Sequence, residues 1–258
     1  MPPELVPIDA GALAGDRLNV FIHGYRSLAT PAAVEQAVNR VRRSGVVGDS
    51  CLLVWMSGRW RDSAAVAGLR AAYRAARFRY LLSPASLAID AGVIGAHEIA
   101  QFKWMERRAE RVGAELPALV EPIADGRPVN LIGHSLGARV IHHALRAAKG
   151  GSGPAWRDAV LLAGAADLDA GDWPDCVARL SGRLTNVYDR RDRVLRLTPD
   201  LRRRVGARAM PQILVNGEPR VVNHHAEGVG HVAHWTRLAA GLREAWPAGF
   251  ATPGSPAR

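Results

Sequence analysis

The chain has only two cysteines, Cys51 and Cys176, in 258 residues. Nothing in their placement resembles a disulfide framework or a metal knuckle. Cys51 heads the apolar run Cys51-Leu52-Leu53-Val54-Trp55 and reads as a buried thiol. Lysine is almost absent, so the formal net charge of +10 is carried almost wholly by arginine. Such a charge ordinarily raises nucleic acid or an anionic surface as a partner. Arginine in place of lysine, together with abundant alanine, is also what a GC-rich coding sequence produces whatever the function, and nucleic acid is not the expected partner. Long hydrophobic runs are missing as well. The most apolar stretch, Leu81 to Ala100, is interrupted by Pro84, Asp90, His97 and Glu98, too often for a bilayer span. The start, Met-Pro-Pro-Glu-Leu-Val-Pro, has neither a basic n-region nor an apolar h-region, so no signal peptide and a cytoplasmic location are expected.

What is present is enough apolar residue, 48%, for a buried core, and a length that suits one α/β domain or two small ones. Short apolar runs alternate with helical patterns. Leu18 to Ile22 reads as a strand ending at His23-Gly24. Thr30-Pro31 then opens a helix by N-cap and first-turn proline, carried through Val34, Ala37, Val38 and Val41. Further strands are expected at Cys51–Trp55, Val129–Ile132, Asp158–Ala163 and Leu184–Tyr188. Ile213–Val215 and Arg220–Asn223 are expected to pair around Asn216-Gly217. Residues 1–16 read as a loose lead-in, and Val232 to Trp246 as a final helix. The alternation predicts an α/β fold: a mainly parallel sheet with helices on both faces. No linker is strong enough to split residues 1–250, which are expected to form one domain. Residues 59–128, helical and long, read as an insertion or cap before the next strand, with helices packed on the sheet as the plainer reading. Residues 251–258 read as a disordered tail.

The strand Asn130-Leu131-Ile132 runs into Gly133-His134-Ser135-Leu136-Gly137 and then into a helical pattern. This is a Gly-x-Ser-x-Gly sequence in a strand-to-helix setting. A serine hydroxyl is a poor nucleophile unless the fold presents it to a base and to backbone donors. A sharp turn at Ser135 does both, and it aims the Leu136 N–H at the place where an oxyanion would form. Earlier in the chain, Phe21-Ile22-His23-Gly24 closes an apolar strand in the same manner. Later come Asp192, followed by Val194-Leu195, and the pair Gly230-His231 before the last helical pattern.

On these residues, over about 18–246, the chain resembles the α/β-hydrolase superfamily, in its esterase and lipase branch. The resemblance implies a nucleophile, an acid and a base in that chain order: Ser135, Asp192 and His231. Asp189, which also follows the strand Leu184–Tyr188, and Asp167, after the strand before it, remain alternative acids. His231 is preferred over His224, His225 and His234 because a glycine precedes it on the loop before the last helix. His134 occupies the variable position beside Ser135, and His142 and His143 read as structural or surface groups. The resemblance also implies a second oxyanion donor, the Tyr25 N–H, beside that of Leu136. Two departures stand out: little room for the usual first two antiparallel strands, and a long segment before the elbow.

The implied chemistry is two-step transfer of an acyl group through Ser135, cleaving a carboxylic ester, with no metal or organic cofactor. An acyltransferase with the same triad, or a hydrolase fold kept as a non-catalytic interaction module, are the alternatives. A metal reading of His231 and His234 lacks a completing carboxylate or thiol. Two arginine runs, one from Arg70 to Arg79 and one from Arg190 to Arg208, read first as solvated faces. The second flanks the acid loop and points to an anionic, lipid or membrane-surface ester as substrate. The oligomeric state has no signature in the sequence.

Overall fold

A computed structural model of the chain describes residues 2–8, 15–24, 30–55, 84–148, 153–196 and 202–250, with side chains described outside 84–101. In chain order its elements are β1 (Glu4–Pro7), β2 (Leu18–Ile22), α1 (Pro31–Arg42), β3 (Asp49–Val54), α2 (Pro84–Ala124), β4 (Val129–His134), α3 (Leu136–Ala147), β5 (Trp156–Leu162), α4 (Trp173–Ala178), β6 (Leu184–Tyr188), α5 (Arg193–Arg196), β7 (Leu214–Val215), β8 (Glu218–Pro219), β9 (Val221–His225), α6 (Ala233–Thr236) and α7 (Leu238–Ala245). Every residue of β2, β4 and β6 is buried. That is why these strands read as unbroken apolar runs rather than as alternating ones: helices cover both faces of the sheet.

Among the described residues the main sheet has seven strands, in the order β1-β3-β2-β4-β5-β6-β9. All neighbours are parallel except the edge strand β1, which runs antiparallel to β3. Successive strand side chains point to opposite faces, and the core divides accordingly. Val20, Leu131 and Leu161 join Leu116 of α2, Val140 of α3 and Val177 of α4 on one face. Phe21, Ile132 and Val160 join Val41 of α1 and Leu242 of α7 on the other. Truncating such a residue, Leu131→Ala for example, would cost about 2–5 kcal/mol by lost burial and cavity formation.

The topology chooses the place for a site. From β2 the chain crosses through α1 to β3 on one side, and β4 lies on the other side of β2. The strand order reverses there, and a crevice opens outside the carboxyl ends of β2 and β4. The arrangement is of the α/β class, a mainly parallel sheet with helices on both faces.

Local chemistry accounts for several boundaries. The Thr30 hydroxyl accepts from the Ala33 N–H at 3.2 Å and Pro31 opens α1, as the sequence predicts. Residues 4–7 depart from expectation. Instead of a loose lead-in they form β1, with Leu5 opposite Leu53 and Val6 opposite Leu52. The prolines at 2, 3 and 7 hide this strand from a local reading; its partner lies more than forty residues on. The turn Asn216-Gly217 has positive φ at both residues and joins β7 to β8. Val221 to His225 does not pair back across that turn. It docks parallel to β6, Val221 opposite Leu184, and closes the far edge of the sheet. The last helix breaks at Arg237, where φ is −109° and ψ 34°, into α6 and α7.

Within the stretch 59–128, α2 accounts for 84–124, and 59–83 lies outside the described residues, as do the arginine run 70–79 and the tail 251–258. From Met105 onward α2 buries Met105, Ala109, Leu116 and Val120 in the same core as Val140 and Ala144 of α3. Buried charge also joins these helices. Arg139 of α3 and Arg204 both reach Glu106 Oε1, at 3.0 and 2.9 Å, and Arg139 also holds Glu110 at 2.8 Å. Removing one member would strand the others away from water, a cost of about 3–5 kcal/mol. No helix among the described residues is long and apolar enough to cross a membrane.

Candidate active site

Ser135 stands between β4 and α3 with φ 54° and ψ −118°. A non-glycine residue with positive φ is strained and persists only where its surroundings hold it. Here the Ser135 N–H donates to the Leu162 carbonyl at 3.0 Å, and its own carbonyl accepts from Ala165 at 2.8 Å and Ala138 at 3.1 Å. The flanking glycines are needed for space. A Cβ on Gly133 would lie 2.7 Å from the backbone carbon of Gly137, and one on Gly137 would run into the carbonyl oxygen of Ile22 on the neighbouring strand. The turn therefore admits only hydrogen at both positions.

His231 lies on the loop after β9, and its Nε2 is 2.9 Å from Ser135 Oγ. Its Nδ1 is 2.7 Å from Asp192 Oδ2. A carboxylate accepts only, so Nδ1–H donates to Asp192, and Nε2 is left to accept the Ser135 hydroxyl proton. Asp192 is fully buried on the loop after β6. Its other oxygen accepts from the Val194 and Leu195 N–H groups at 2.9 and 3.1 Å, the first turn of α5. Burial by itself would raise this carboxyl. The hydrogen bond from His231, the attraction of its ring and the two N–H donors outweigh it, and Asp192 is held below the usual carboxylate range.

The other acid candidates point elsewhere. Asp189 is buried, but its carboxylate accepts from the Arg191 N–H at 2.8 Å and shapes the turn that carries Asp192. Asp167 accepts from the Asp169 N–H at 3.0 Å and pairs with Arg202 at 3.2 Å. Of the alternative bases, His224 faces Glu244 at 3.5 Å, His225 stacks on Tyr188, and His234 is buried in α6. None of them touches Ser135.

Two histidines that the sequence left without a role support the elbow. His134 Nε2 donates to the backbone carbonyl of His231 at 2.9 Å, and its ring stacks on Trp235. Burial and the neighbouring His231 push its pKa down to about 3, so the ring is neutral. His23, at the end of β2, donates from Nδ1 to the Gly24 carbonyl at 2.7 Å and stacks on Trp55. Burial holds its pKa down at about 4. Gly24 follows directly. A Cβ there would lie 2.7 Å from Ser135 Cβ, so the backbone after β2 approaches the serine as closely as a glycine allows. The Leu136 N–H, at the start of α3, has no hydrogen-bond partner among the described residues. Tyr25 lies outside the described residues.

Away from this centre, His142, Asp172 and Cys176 bring three metal-type donor atoms within 4.8 Å of one another. Their bonds already use them. His142 Nε2 donates to Asp172 at 2.9 Å, Arg146 holds the second Asp172 oxygen at 3.3 Å, and the Cys176 thiol, its pKa raised to about 12 by burial, faces the His142 carbonyl. The set serves as the joint between α3 and α4.

The family model described as "Protein of unknown function (DUF726)" matches residues 83–233, more than half of the chain. No curated protein matches the sequence. The chain is similar to the crystal structure of the esterase domain from a Rhodothermus marinus protein at 15% identity and a TM-score of 0.39, over 93% of this chain and 91% of that one.

Proposed function

The chain belongs to the family described as protein of unknown function DUF726, and we propose that it is a serine hydrolase that cleaves carboxylic esters through an acyl-enzyme on Ser135. One observation carries the reading: an unbroken hydrogen-bonded line from Ser135 Oγ through His231 to Asp192, at 2.9 and 2.7 Å, on a strained strand-to-helix turn at the sheet's reversal point.

In the first step Ser135 Oγ attacks the ester carbonyl while His231 Nε2 takes its proton. Asp192 keeps Nδ1 protonated and steadies the imidazolium that forms. The tetrahedral oxyanion sits against the Leu136 N–H, with Tyr25 as the expected second donor. Removing one such donor typically costs about 3 kcal/mol in the barrier. The imidazolium then hands its proton to the departing alcohol. Water, deprotonated by His231, attacks the acyl-Ser135, and collapse releases the carboxylic acid and restores the serine.

The test is hydrolysis of a short p-nitrophenyl ester, with covalent labelling by a fluorophosphonate probe alongside. The parent protein is expected to hydrolyse the ester and to be labelled at Ser135. Ser135→Ala is expected to lose both at an unchanged melting temperature. Retained hydrolysis in a folded Ser135→Ala protein overturns the assignment.

A further inference from the structure

Beside the acid loop, the segments leaving the carboxyl ends of β5 and β6 enclose a cleft of about 720 Å3. Four arginines line it. Arg190 and Arg196 bracket the turn that carries Asp192, while Arg203 and Arg208 come from the segment before β7. Among the described lining residues the one carboxylate is Asp169, and it is taken: Arg203 grips both of its oxygens. The guanidinium groups of Arg190, Arg196 and Arg208 have no hydrogen bond or ion pair among the described residues. Three exposed cations without an ion pair among the described residues therefore line one concave site, where a single anion can meet them together.

The walls are built rather than loose. Asn223 clamps Met210 from both sides, accepting from its N–H at 2.8 Å and donating to its carbonyl at 2.9 Å. Asn186 donates to the Arg208 carbonyl at 2.9 Å, and the Leu168 N–H to the Arg203 carbonyl at 2.8 Å. Asn186 is fully buried, so its bond is shielded from water. Leu168 and Met210 give the cleft an apolar floor. A backbone fixed in advance spares a ligand the cost of ordering it.

The charge and the volume together select a ligand class. A single carboxylate would neutralise one arginine of three. A phosphomonoester carries about −1.5 to −2 charges at neutral pH and three acceptor oxygens, which match the two-pronged guanidinium donors. The cleft is larger than phosphate alone and lies within the roughly 300–1,000 Å3 range of small-molecule sites. We propose that it binds the phosphate of a small phosphomonoester, with Arg190, Arg196 and Arg208 holding the oxygens and Leu168 and Met210 seating the carbon portion. This site is separate from Ser135 and stands whether or not Ser135 is a nucleophile. The same phosphate chemistry can arrive on a soluble metabolite or as the headgroup of a monoester lipid.

Calorimetric titration of the full chain with glycerol 3-phosphate at low ionic strength tests it. Saturable one-to-one binding is expected, with Ser135→Ala binding as tightly as the parent. Each charge-assisted contact is worth roughly tenfold in affinity, so Arg196→Gln combined with Arg208→Gln is expected to weaken binding by about a hundredfold. Arg43→Gln combined with Arg237→Gln, exposed arginines outside the cleft, is expected to leave it unchanged. Sedimentation with vesicles containing phosphatidic acid separates the sources. Capture that needs Arg196 and Arg208 assigns the phosphate to a lipid headgroup; binding of glycerol 3-phosphate without vesicle capture assigns it to a soluble ligand. Absence of binding in both assays, or equal weakening by the two double variants, overturns the proposal.

Discussion

His134, the neighbour of Ser135, donates its Nε2–H to the backbone carbonyl of His231 across 2.9 Å, and the two rings stand 5.1 Å apart. The residue next to the candidate nucleophile thus anchors the main chain of the candidate base. Trp235, one turn beyond His231, closes the other side of the His134 ring. The elbow and the loop after β9, almost a hundred residues apart in the chain, are fastened by a bond that makes no direct contact with substrate. His134 is in this sense a positioning residue.

His134→Phe keeps the stacking surface and removes the donor. A hydrogen bond of this kind is worth about 1–1.5 kcal/mol, so kcat on a p-nitrophenyl ester is expected to fall roughly tenfold while KM changes little. His134→Gln, which restores a donor, is expected to recover part of the loss. Steady-state kinetics on the two variants decides the matter: a lowered melting temperature with unchanged kcat would leave His134 a packing residue only.

Asp192→Asn leaves the volume intact but lets the wrong His231 tautomer form. A loss on the order of 10^4 in kcat is expected, as for the equivalent change in a serine triad. Asp189→Asn keeps the oxygen that accepts from the Arg191 N–H, so its loss is expected to be tenfold or smaller. If the second variant is the more impaired when rates are compared at matched folded fraction, the acid is Asp189.

Gly137→Ala and Gly24→Ala probe the two close approaches. The methyl at 137 would meet a backbone carbonyl of β2, which has nowhere to go. Destabilisation of about 3 kcal/mol or more, or failure to fold, is expected in urea unfolding. The methyl at 24 would press on Ser135 Cβ at 2.7 Å. It displaces the serine itself, so hydrolysis of the p-nitrophenyl ester used to test the proposed function is expected to fall by a larger factor than folding stability.

Acid is expected to destabilise the fold well above carboxylate titration. His23 and His134 are buried and neutral, with pKa values lowered to about 4 and about 3. In the unfolded chain they titrate near 6.5. The unfolded state therefore binds more protons between the two values, and stability falls as pH drops below about 6.5. At pH 5 each of the two is expected to cost roughly 2 kcal/mol relative to pH 7.5. Asp192 acts in the same direction but lower: its pKa is depressed, so its contribution is present above about pH 4 and is lost as pH falls through its folded value. Urea midpoints at pH 7.5 and 5.0 measure the first effect. A midpoint that does not move between them contradicts it.

Much of this was legible along the chain. β2, β4 and β6 are buried on both faces, so a continuous apolar run was the signal, and each was found nearly to the residue. Thr30-Pro31 announced α1 because a cap is a local hydrogen bond. β1 was not legible: four residues among prolines become a strand only because β3 offers them an unpaired edge. β9 is obscured in the sequence for a related reason. The turn Asn216-Gly217 is a strong local hairpin signal, and it was satisfied by the short pair β7 and β8, which freed Val221 to His225 to dock on β6.

The site divides in the same way. The spacing Gly133-x-Ser135-x-Gly137 follows from sterics within one turn, where two hydrogens are all the space that Ile22 and the turn itself leave; it could be read from five letters. Which aspartate faces His231 could not be read so locally; only the resemblance favoured Asp192. Asp189 and Asp192 stand three apart on one loop, both buried, and differ only in the direction that the turn gives them. The roles of His134 and His23 were hidden for the same reason, since a buried histidine shows its partners only when distant segments meet. Chemistry that lives inside one turn is written in adjacent residues. Orientation across loops is decided by the assembled sheet, because its parallel strands put the carboxyl ends of β2, β4 and β6 on one edge.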